Sequence, residues 1–306
     1  MRTDNISSII YLRNKLHTWK NISFLLALFS AFILGKFLFS SDPQISQNTD
    51  SIANIKINNI IFTDDYRSKI IKKISENESV KAAIITINSP GGGIVGSEIL
   101  YNDLKALAKA KPVVVVMESI AASGAYMAAV AADHIIAHNG TLTGSIGVMM
   151  QSAEVTDLAQ KIGITFNNFK SSPVKGSPSL TEKTSLQTRQ IIDDSIGDSH
   201  KFFVDLIKNA RGDKLKTKLE SKIFDGRIFT GRQALEAGLI DQIGTKQDGL
   251  DYLAKKKVDI TLPIIDVSTI KKKNDFFDKI FGAFSFFKNG SLEGLNHNQQ
   301  IMAIAR

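Results

Sequence analysis

The sequence predicts an α/β domain in which a parallel or mixed sheet is covered by helices on both faces. Short, β-branched apolar runs such as residues 83–88 alternate with stretches that have the period of an amphipathic helix, such as residues 94–110. Glycine-rich turns separate these runs. Hydrophobic residues make up 43% of the 306 residues, which is enough for a sizeable core.

The predicted elements follow one another in an order that favours a layered α/β architecture. Continuous apolar strands are typical of a sheet that is buried on both faces. The predicted elements are a strand from Ile55, a helix from Asp65 to about Glu78, a strand at 83–88, a helix at 94–110, a strand at 112–117, a helix at 123–132, a strand at 135–137 and a helix at 182–211.

An apolar run at residues 22–40 has the length that a transmembrane helix needs. Four basic residues precede it, so the positive-inside rule orients the chain with its N-terminus in the cytoplasm. Lys36 lies near the far end, where its ammonium can reach the headgroups. The run is longer than the apolar part of a signal peptide, and no small-residue cleavage site follows it. An uncleaved, single-pass anchor in the cytoplasmic membrane is therefore favoured over a cleaved signal.

This anchor divides the chain into five predicted regions. The last one contains six phenylalanines between lysines, which favours either an interfacial membrane helix or a segment that packs in an oligomer or is disordered. The regions are a basic cytoplasmic tail at 1–21, the anchor at 22–40, a linker at 41–54, an extracytoplasmic domain at 55–265 and a Phe/Lys-rich tail at 266–306.

Charge and cysteine content exclude several classes of function. The formal net charge is +8, but residues 1–20 and 271–306 contribute +3 each, so that the body of the chain is nearly neutral. A nucleic-acid-binding domain would carry its basic residues on the folded body. Nucleic-acid binding is therefore not expected for this chain. The chain has no cysteine, which excludes disulfides, thiolate metal sites and a Cys nucleophile.

Two small-residue segments are candidates for chemistry. Residues 88–93, N-S-P-G-G-G, form a turn whose free amides could face an oxyanion, although a plain strand-to-helix turn has the same composition. No nucleotide-phosphate motif is present in it. Residues 120–127, I-A-A-S-G-A-Y-M, place Ser123 at a predicted helix start, where a peptide could approach closely. The same segment alone favours a capping serine.

A nucleophilic serine needs a base, and the sequence offers histidines and lysines. His134 and His138 lie near a predicted strand and are the histidine candidates for a Ser-His-Asp hydrolase. Lys170 and Lys175 lie in a loop with Pro and Gly. A lysine can act as a base only if burial or a nearby positive charge lowers its pKa toward neutrality.

Five segments in the right order resemble the Ser/Lys peptidases of the signal peptide peptidase A type, within the ClpP/crotonase superfamily, over roughly residues 55–250. They are N-S-P-G-G-G at 88–93, A-A-S-G-A-Y at 121–126, T-G-S-I-G-V at 143–148, the lysine loop near 175 and the seventeen-residue segment at 225–241. The resemblance implies repeated β-β-α units. Ala125 stands where a second glycine is usual, and His138 and Asn139 stand where a proline is common.

The resemblance implies roles for five residues and a second candidate for one of these roles. Ser123 would be the nucleophile and Lys175 its general base, with Lys170 as the other candidate base. Backbone amides of Gly92 and Gly124 would form the oxyanion hole, and Ser145 would orient the lysine or line the pocket. It further implies a homo-oligomer in which neighbouring subunits complete each site. The substrates would be unfolded peptides near the membrane, such as signal-peptide remnants. No metal or cofactor would be needed.

Three other interpretations fit the same sequence. A crotonase-like acyl-CoA enzyme would share the fold and the oxyanion turn, but it has no evident use for an anchor. A Ser-His-Asp hydrolase would use His134 or His138. A catalytically inactive membrane scaffold would keep the fold with an unreactive Ser123.

Overall fold

A computed structural model describes residues 4–39 and 49–269 of the protein. Residues 41–48 of the predicted linker and residues 270–306 of the predicted tail lie outside the described residues. The strands are β1 (Ser51–Asn58), β2 (Val80–Ser89), β3 (Val113–Ala122), β4 (His134–Ala137), β5 (Leu142–Gly144), β6 (Ile228–Thr230), β7 (Gln242–Ile243) and β8 (Ile264–Val267). The helices are α1 (Asp4–Phe39), α2 (Asp65–Glu76), α3 (Ile94–Ala110), α4 (Gly124–Ala129), α5 (Thr156–Lys161), α6 (Leu186–Arg211), α7 (Glu220–Ile223), α8 (Gly231–Ala237) and α9 (Lys246–Lys255).

The strands form one mixed, mostly parallel sheet, which confirms the predicted α/β class. Its main path runs β6-β5-β3-β2-β1-β8, and β4 and β7 extend it from β3. Only the pairing of β5 with β6 is antiparallel among the described strands. The carboxyl ends of β2 and β3 therefore meet at one edge of the sheet, which is where ligand sites form in open α/β sheets.

Both faces of the sheet are covered, as the apolar strands predicted. Alternate residues of one strand enter different cores because side chains in a strand point to opposite faces. Ile85 and Val115 lie in the larger core, which contains residues of α2, α3 and α4. Ile84 and Val114 lie in a smaller core with Leu253 of α9.

Helix α1 contains the apolar run that was predicted to anchor the chain. In the part of the chain that the structure describes, no helix combines the length and the apolar character that crossing a bilayer requires. The predicted transmembrane anchor at residues 22–40 is therefore not confirmed.

The ends of the strands differ more from the prediction than those of the helices. Helices α2 and α3 lie where the sequence predicts them, and Asp64 caps α2 by accepting from the amides of Tyr66 and Arg67. Strand β1 begins at Ser51, inside the predicted linker, and β3 continues to Ala122 instead of ending near residue 117. The longer β3 matters because it ends directly at Ser123.

Candidate active site

Ser123 occupies a sharp turn between β3 and α4. Its backbone has φ +54° and ψ −125°, a conformation that a residue with a side chain adopts only at a cost of about 1–3 kcal/mol. Two hydrogen bonds hold it there: its amide donates to the carbonyl oxygen of Gly144 at 2.8 Å, and its carbonyl accepts from the amide of Met127 at 3.0 Å. A strained serine at a strand-to-helix turn presents its hydroxyl outward, as in a nucleophile elbow.

The hydroxyl of Ser123 does not cap the helix that follows it. Ser123 occupies the N-cap position of α4, but its side chain makes no capping hydrogen bond. The residue is partly exposed, whereas the six residues of α4 after it are all buried. Capping, the structural alternative for this serine, therefore does not account for the side chain.

The glycine turn after β2 lies against Ser123. Gly91 has φ +104°, and a Cβ added there would lie 2.9 Å from the Cβ of Ser123 and 2.8 Å from the amide nitrogen of Gly124. Such distances are shorter than any van der Waals contact, so only glycine allows this approach. The buried Ser89 holds the turn, since its hydroxyl accepts from the Gly91 amide at 3.1 Å and donates to the carbonyl of Asn59.

The amides of Gly92 and Gly124 lie together beside the serine. A Cβ built on Gly124 would lie 3.4 Å from the nitrogen of Gly92. Gly124 is the first residue of α4, where an amide has no partner within its own helix. Within residues 49–269, the Gly92 amide has no hydrogen-bond acceptor. The two unpaired donors form the kind of pair that can hold an oxyanion.

Ser145 lies next to the residue that fixes the Ser123 turn. It also has a positive φ, +51°, and its amide donates to the carbonyl of Arg227 at 2.8 Å. The carbonyl of Gly144, the last residue of β5, is the acceptor for the Ser123 amide. Ser145 is partly buried. The structure thus brings together Gly92, Ser123, Gly124 and Ser145 of the predicted site.

Lys175, the predicted base, lies in the loop between α5 and α6. It lies in a turn where its amide donates to the Ser172 carbonyl at 3.1 Å, and its side chain is exposed. Among the described residues, no hydrogen bond or ion pair joins its ammonium to Ser123 or to any other group.

Lys170, the other candidate base, already has a partner. Its ammonium forms an ion pair with Glu182 and donates to the hydroxyl of Ser177 at 3.2 Å. This contact lowers the pKa of the Glu182 carboxyl, first through the hydrogen bond from Lys170. In the described single chain these contacts hold the Lys170 side chain at Glu182 and Ser177.

His134, one of the two histidine candidates, lies far from the serine. His134 begins β4 and pairs with Val114, nine residues before Ser123 along β3, which is roughly 25–30 Å at about 3.3 Å per residue. Its ring stacks on Tyr252 with centroids 4.3 Å apart, and its Nε2 lies 3.2 Å from Gln242 Oε1. His138 is exposed beyond the end of β4. A Ser-His-Asp arrangement with His134 is therefore wrong for this chain.

Sequence reasoning missed the residues that hold the glycine turn. Ser89 was visible inside the N-S-P-G-G-G motif, where a small hydroxyl before a glycine turn is a known turn-stabilising pattern. Ile61 contacts the turn from the segment between β1 and α2, and Arg67 of α2 donates to Phe62 in that segment. Neither residue carries a local signal, because their roles depend on tertiary contacts.

A strained serine with two unpaired amides is an arrangement suited to acyl transfer. Comparison with known proteins agrees with this class: residues 105–261, slightly more than half of the chain, match the family described as Peptidase family S49. The chain belongs to Peptidase family S49. The resemblance that the five sequence segments indicated is thereby confirmed.

Individual relatives support the same family. A candidate signal peptide peptidase SppA of Enterococcus faecium is 35% identical over 206 residues, 67% of this chain and 58% of the relative. A candidate protease of Synechocystis is 36% identical over 69% of this chain and 76% of its own length. The chloroplastic serine protease SPPA of Arabidopsis thaliana is 34% identical over 63% of this chain. The chain matches less than two thirds of the first relative and 28% of the third.

Proposed function

We propose that this protein is a membrane-anchored serine endopeptidase that uses a Ser123–Lys175 dyad. The observation that supports it best is the strained Ser123, whose hydroxyl caps nothing and which lies beside the amides of Gly92 and Gly124. Strain at a single serine persists only where the surrounding structure stabilises it, and it is concentrated at functional sites. The family and the relative named as a serine protease are consistent with this activity.

The proposed reaction is acyl transfer in two halves. The neutral amine of Lys175 removes the proton from Ser123 Oγ as this oxygen attacks the carbonyl carbon of a peptide bond. The carbonyl oxygen becomes an oxyanion that accepts hydrogen bonds from the Gly92 and Gly124 amides. The Lys175 ammonium then protonates the leaving nitrogen as the C–N bond breaks. Water hydrolyses the resulting ester by the same steps, and no metal or cofactor is required.

Lys175 can fill this role only in a different environment from the one it has in a single chain. A lysine amine acts as a general base where burial or a nearby positive charge favours its neutral form, and the Lys175 side chain is exposed in the single chain. We infer that a homo-oligomer brings the Lys175 loop of one subunit and a Ser123 turn together and buries the amine. This agrees with what the family resemblance implies for assembly. Ser145, next to the Gly144 that fixes Ser123, would orient the lysine or line the pocket.

The proposed substrates are remnant signal peptides or other unfolded peptides near the membrane. An anchor at residues 22–40 would keep the ClpP/crotonase-like domain on the extracytoplasmic face of the cytoplasmic membrane, where such peptides are released. Peptide substrates are supported by the amides of Gly92 and Gly124 beside Ser123, which could hold the carbonyl oxygen of a peptide bond. The Phe/Lys-rich tail beyond residue 269 would contact the lipid surface or the oligomer.

The proposal is tested by labelling and hydrolysis on the full-length, detergent-solubilised protein. A fluorophosphonate probe should modify one serine, mapped by peptide mass spectrometry to Ser123. Ser123→Ala should abolish both labelling and peptide hydrolysis, and Lys175→Ala should lower hydrolysis by at least about 100-fold because a general base is lost. His134→Ala is the matched control and should keep activity.

Three outcomes would contradict the proposal. Labelling at another serine would remove Ser123 as the nucleophile. Full activity in Lys175→Ala, with loss in His134→Ala, would replace the lysine mechanism. A correctly assembled wild-type protein that neither hydrolyses peptides nor reacts with the probe would favour the inactive scaffold.

A further inference from the structure

We propose that Arg67 is a positioning residue for the oxyanion hole, acting through the segment at residues 59–63, here called the bracing segment. This inference rests on the proposed function. It concerns how the Gly92 amide is kept directed toward Ser123, since a glycine turn alone has many conformations available to it.

The bracing segment forms hydrogen bonds with the glycine turn on both sides of Gly92. The Ile61 amide donates to the carbonyl of Gly91 at 2.8 Å, and the Ile61 carbonyl accepts from the amide of Gly93 at 3.0 Å. These two bonds fix the peptides before and after Gly92 and leave its own amide free to face outward. A Cβ on Gly92 would lie 2.0 Å from the Ile61 oxygen, so the two backbones are as close as they can be.

Side-chain burial holds only the centre of the bracing segment. Ile61 is 1% exposed, but its neighbours Ile60 and Phe62 are 57% and 65% exposed. The segment therefore gains little apolar stabilisation at its two flanks. Its backbone packs closely on α3, since a Cβ on Gly96 would lie 2.6 Å from the carbonyl carbon of Phe62. A polar contact adds to this packing at the flank that carries Phe62.

Arg67 supplies that contact from the first turns of α2. Its Nη2 donates to the Phe62 carbonyl at 2.8 Å, and its amide donates to Asp64 at 3.0 Å. The residue is only 8% exposed, and its Nε has no hydrogen-bond partner in the described part of the chain. Burial lowers the pKa of the guanidinium, while the nearby Asp64 and Asp103 carboxylates oppose that effect.

A buried guanidinium that leaves one nitrogen unpaired is costly, so stability alone is a poor reason for it. Its directed bond ends one residue from Ile61, which in turn brackets Gly92. The path from Arg67 to the Gly92 amide is thus continuous and made of hydrogen bonds and one peptide step. Loss of the guanidinium should let the Phe62 flank move and misdirect the amide by a fraction of an ångström.

The test compares Arg67→Met, Arg67→Lys and Ser68→Ala in the full-length protein. Met keeps the apolar stem of the arginine, and Lys keeps a donor. Ser68 is the matched control because it is the next residue of α2 and its hydroxyl donates to Asp103 of α3 at 2.6 Å, away from the bracing segment. The measurements are kcat and KM for a peptide substrate and the affinity of a peptide aldehyde, whose adduct with Ser123 forms an oxyanion.

We expect Arg67→Met to lower kcat by about 10- to 100-fold with KM changed less than about twofold, because misdirected donors weaken transition-state binding alone. Aldehyde affinity should fall in parallel, and Arg67→Lys should recover part of both. Ser68→Ala should keep kcat. The inference is overturned if Arg67→Met keeps wild-type kcat, raises only KM, or loses no more than Ser68→Ala. A wild-type protein without peptidase activity would overturn the proposed function, and this inference with it.

Discussion

The amide of Ser123 donates a 2.8 Å hydrogen bond to the carbonyl oxygen of Gly144, which joins the turn of the candidate nucleophile to the end of β5. Ala122 and Gly144 are also paired in the sheet. The strained backbone of Ser123 is thus held from the side by a neighbouring strand. This arrangement predicts that a substitution at Gly144 alters the backbone conformation of Ser123, although it does not contact the Ser123 side chain.

Gly144→Ala should disturb the Ser123 turn. Gly144 has φ +76°, and an added Cβ would lie 2.7 Å from Cδ2 of Phe229. The backbone or the ring must shift, and the carbonyl that holds Ser123 moves with it. We expect a loss of about 2–4 kcal/mol in the free energy of unfolding, from strain and overpacking together, and slower fluorophosphonate labelling.

Gly163→Ala is the control for this change. Gly163 has nearly the same φ, +77°, but no atom lies within 4 Å of its added Cβ. Its substitution should cost only about 1–2 kcal/mol from backbone strain and leave the labelling rate unchanged. Equal labelling rates in both variants would show that Gly144 does not control the reactivity of Ser123.

Gly124 and Ser97 should be energetically coupled. A Cβ on Gly124 would lie 2.0 Å from Oγ of Ser97 and 2.8 Å from its Cβ, and Ser97 is fully buried. Gly124→Ala should therefore force α3 and α4 apart and cost about 2–3 kcal/mol. In the Ser97→Gly background the same change should cost less, because its nearest remaining neighbour is the Gly92 nitrogen at 3.4 Å.

A double-mutant cycle with urea denaturation measures this coupling. The coupling energy should be at least about 1 kcal/mol, with the double variant more stable than the two single effects predict. Additive effects would mean that the two helices separate easily at this contact.

The sequence predicted the local elements well because their signals are local. The 3.6-residue pattern and the capping Asp64 set α2, and the glycine turn and Lys111 bound α3. Ser123, Gly92 and Gly124 could be predicted as neighbours because β2 and β3 are parallel and their turns lie at one edge. The long β3 was not predicted, since Glu118 and Ser119 interrupt its apolar pattern before Ile120.

The position of the lysine could not be predicted from local pattern. The resemblance implied which lysine would act as the base. The distance from this lysine to Ser123, however, depends on how a loop of thirty or more residues is arranged after β5. Residues 149–185 are mostly exposed, and in a single chain the Lys175 ammonium has no hydrogen-bond or ion-pair partner within the described residues. Arg67 was missed for a related reason, because a buried arginine looks in sequence like any basic residue on the polar side of α2.

Asp241 should make the fold sensitive to acid. Burial raises the pKa of this carboxyl, but the bidentate contact with Arg211 and the contact with Lys214 outweigh it and lower the pKa to about 2. A lowered pKa stabilises the fold above the unfolded value near 3.8, and that stability is lost as the pH falls toward 2. Urea denaturation at pH 6, 4 and 2.5 should show this decline.

The variant Asp241→Asn isolates the contribution of the Asp241 carboxylate to the pH dependence of stability. It leaves the buried Arg211 without its carboxylate and should cost about 3–5 kcal/mol at pH 6. The variant should lose less stability than the wild type between pH 4 and pH 2.5. Asp259→Asn is the control, since that exposed carboxylate bonds only within its own turn in the described structure. Parallel pH curves for wild type and Asp241→Asn would contradict the assignment.

The Lys170–Glu182 ion pair should hold the loop that presents Lys175. The pair joins the two ends of the loop, and the side chains are 18% and 28% exposed, so solvent screens it less than a surface pair. The Asn168 side chain donates to Thr181 Oγ1 at 3.1 Å beside it. Glu182→Gln should therefore open the loop, increase its cleavage by a soluble protease about 3- to 10-fold and lower peptide hydrolysis, with little change in global stability.

The exchanged pair, Lys170→Glu with Glu182→Lys, tests whether the ion pair itself is responsible. It should restore protection and part of the activity, because the opposite charges are kept across the same distance. Since Lys170 lowers the pKa of Glu182, protection should persist above the ordinary pKa of a glutamate and disappear as the pH falls through the lowered value. Lys183→Met, which removes an exposed ion pair with Asp157, is the matched control and should change neither readout. An exchanged pair as protease-sensitive as Glu182→Gln would show that shape, and not charge pairing, closes the loop.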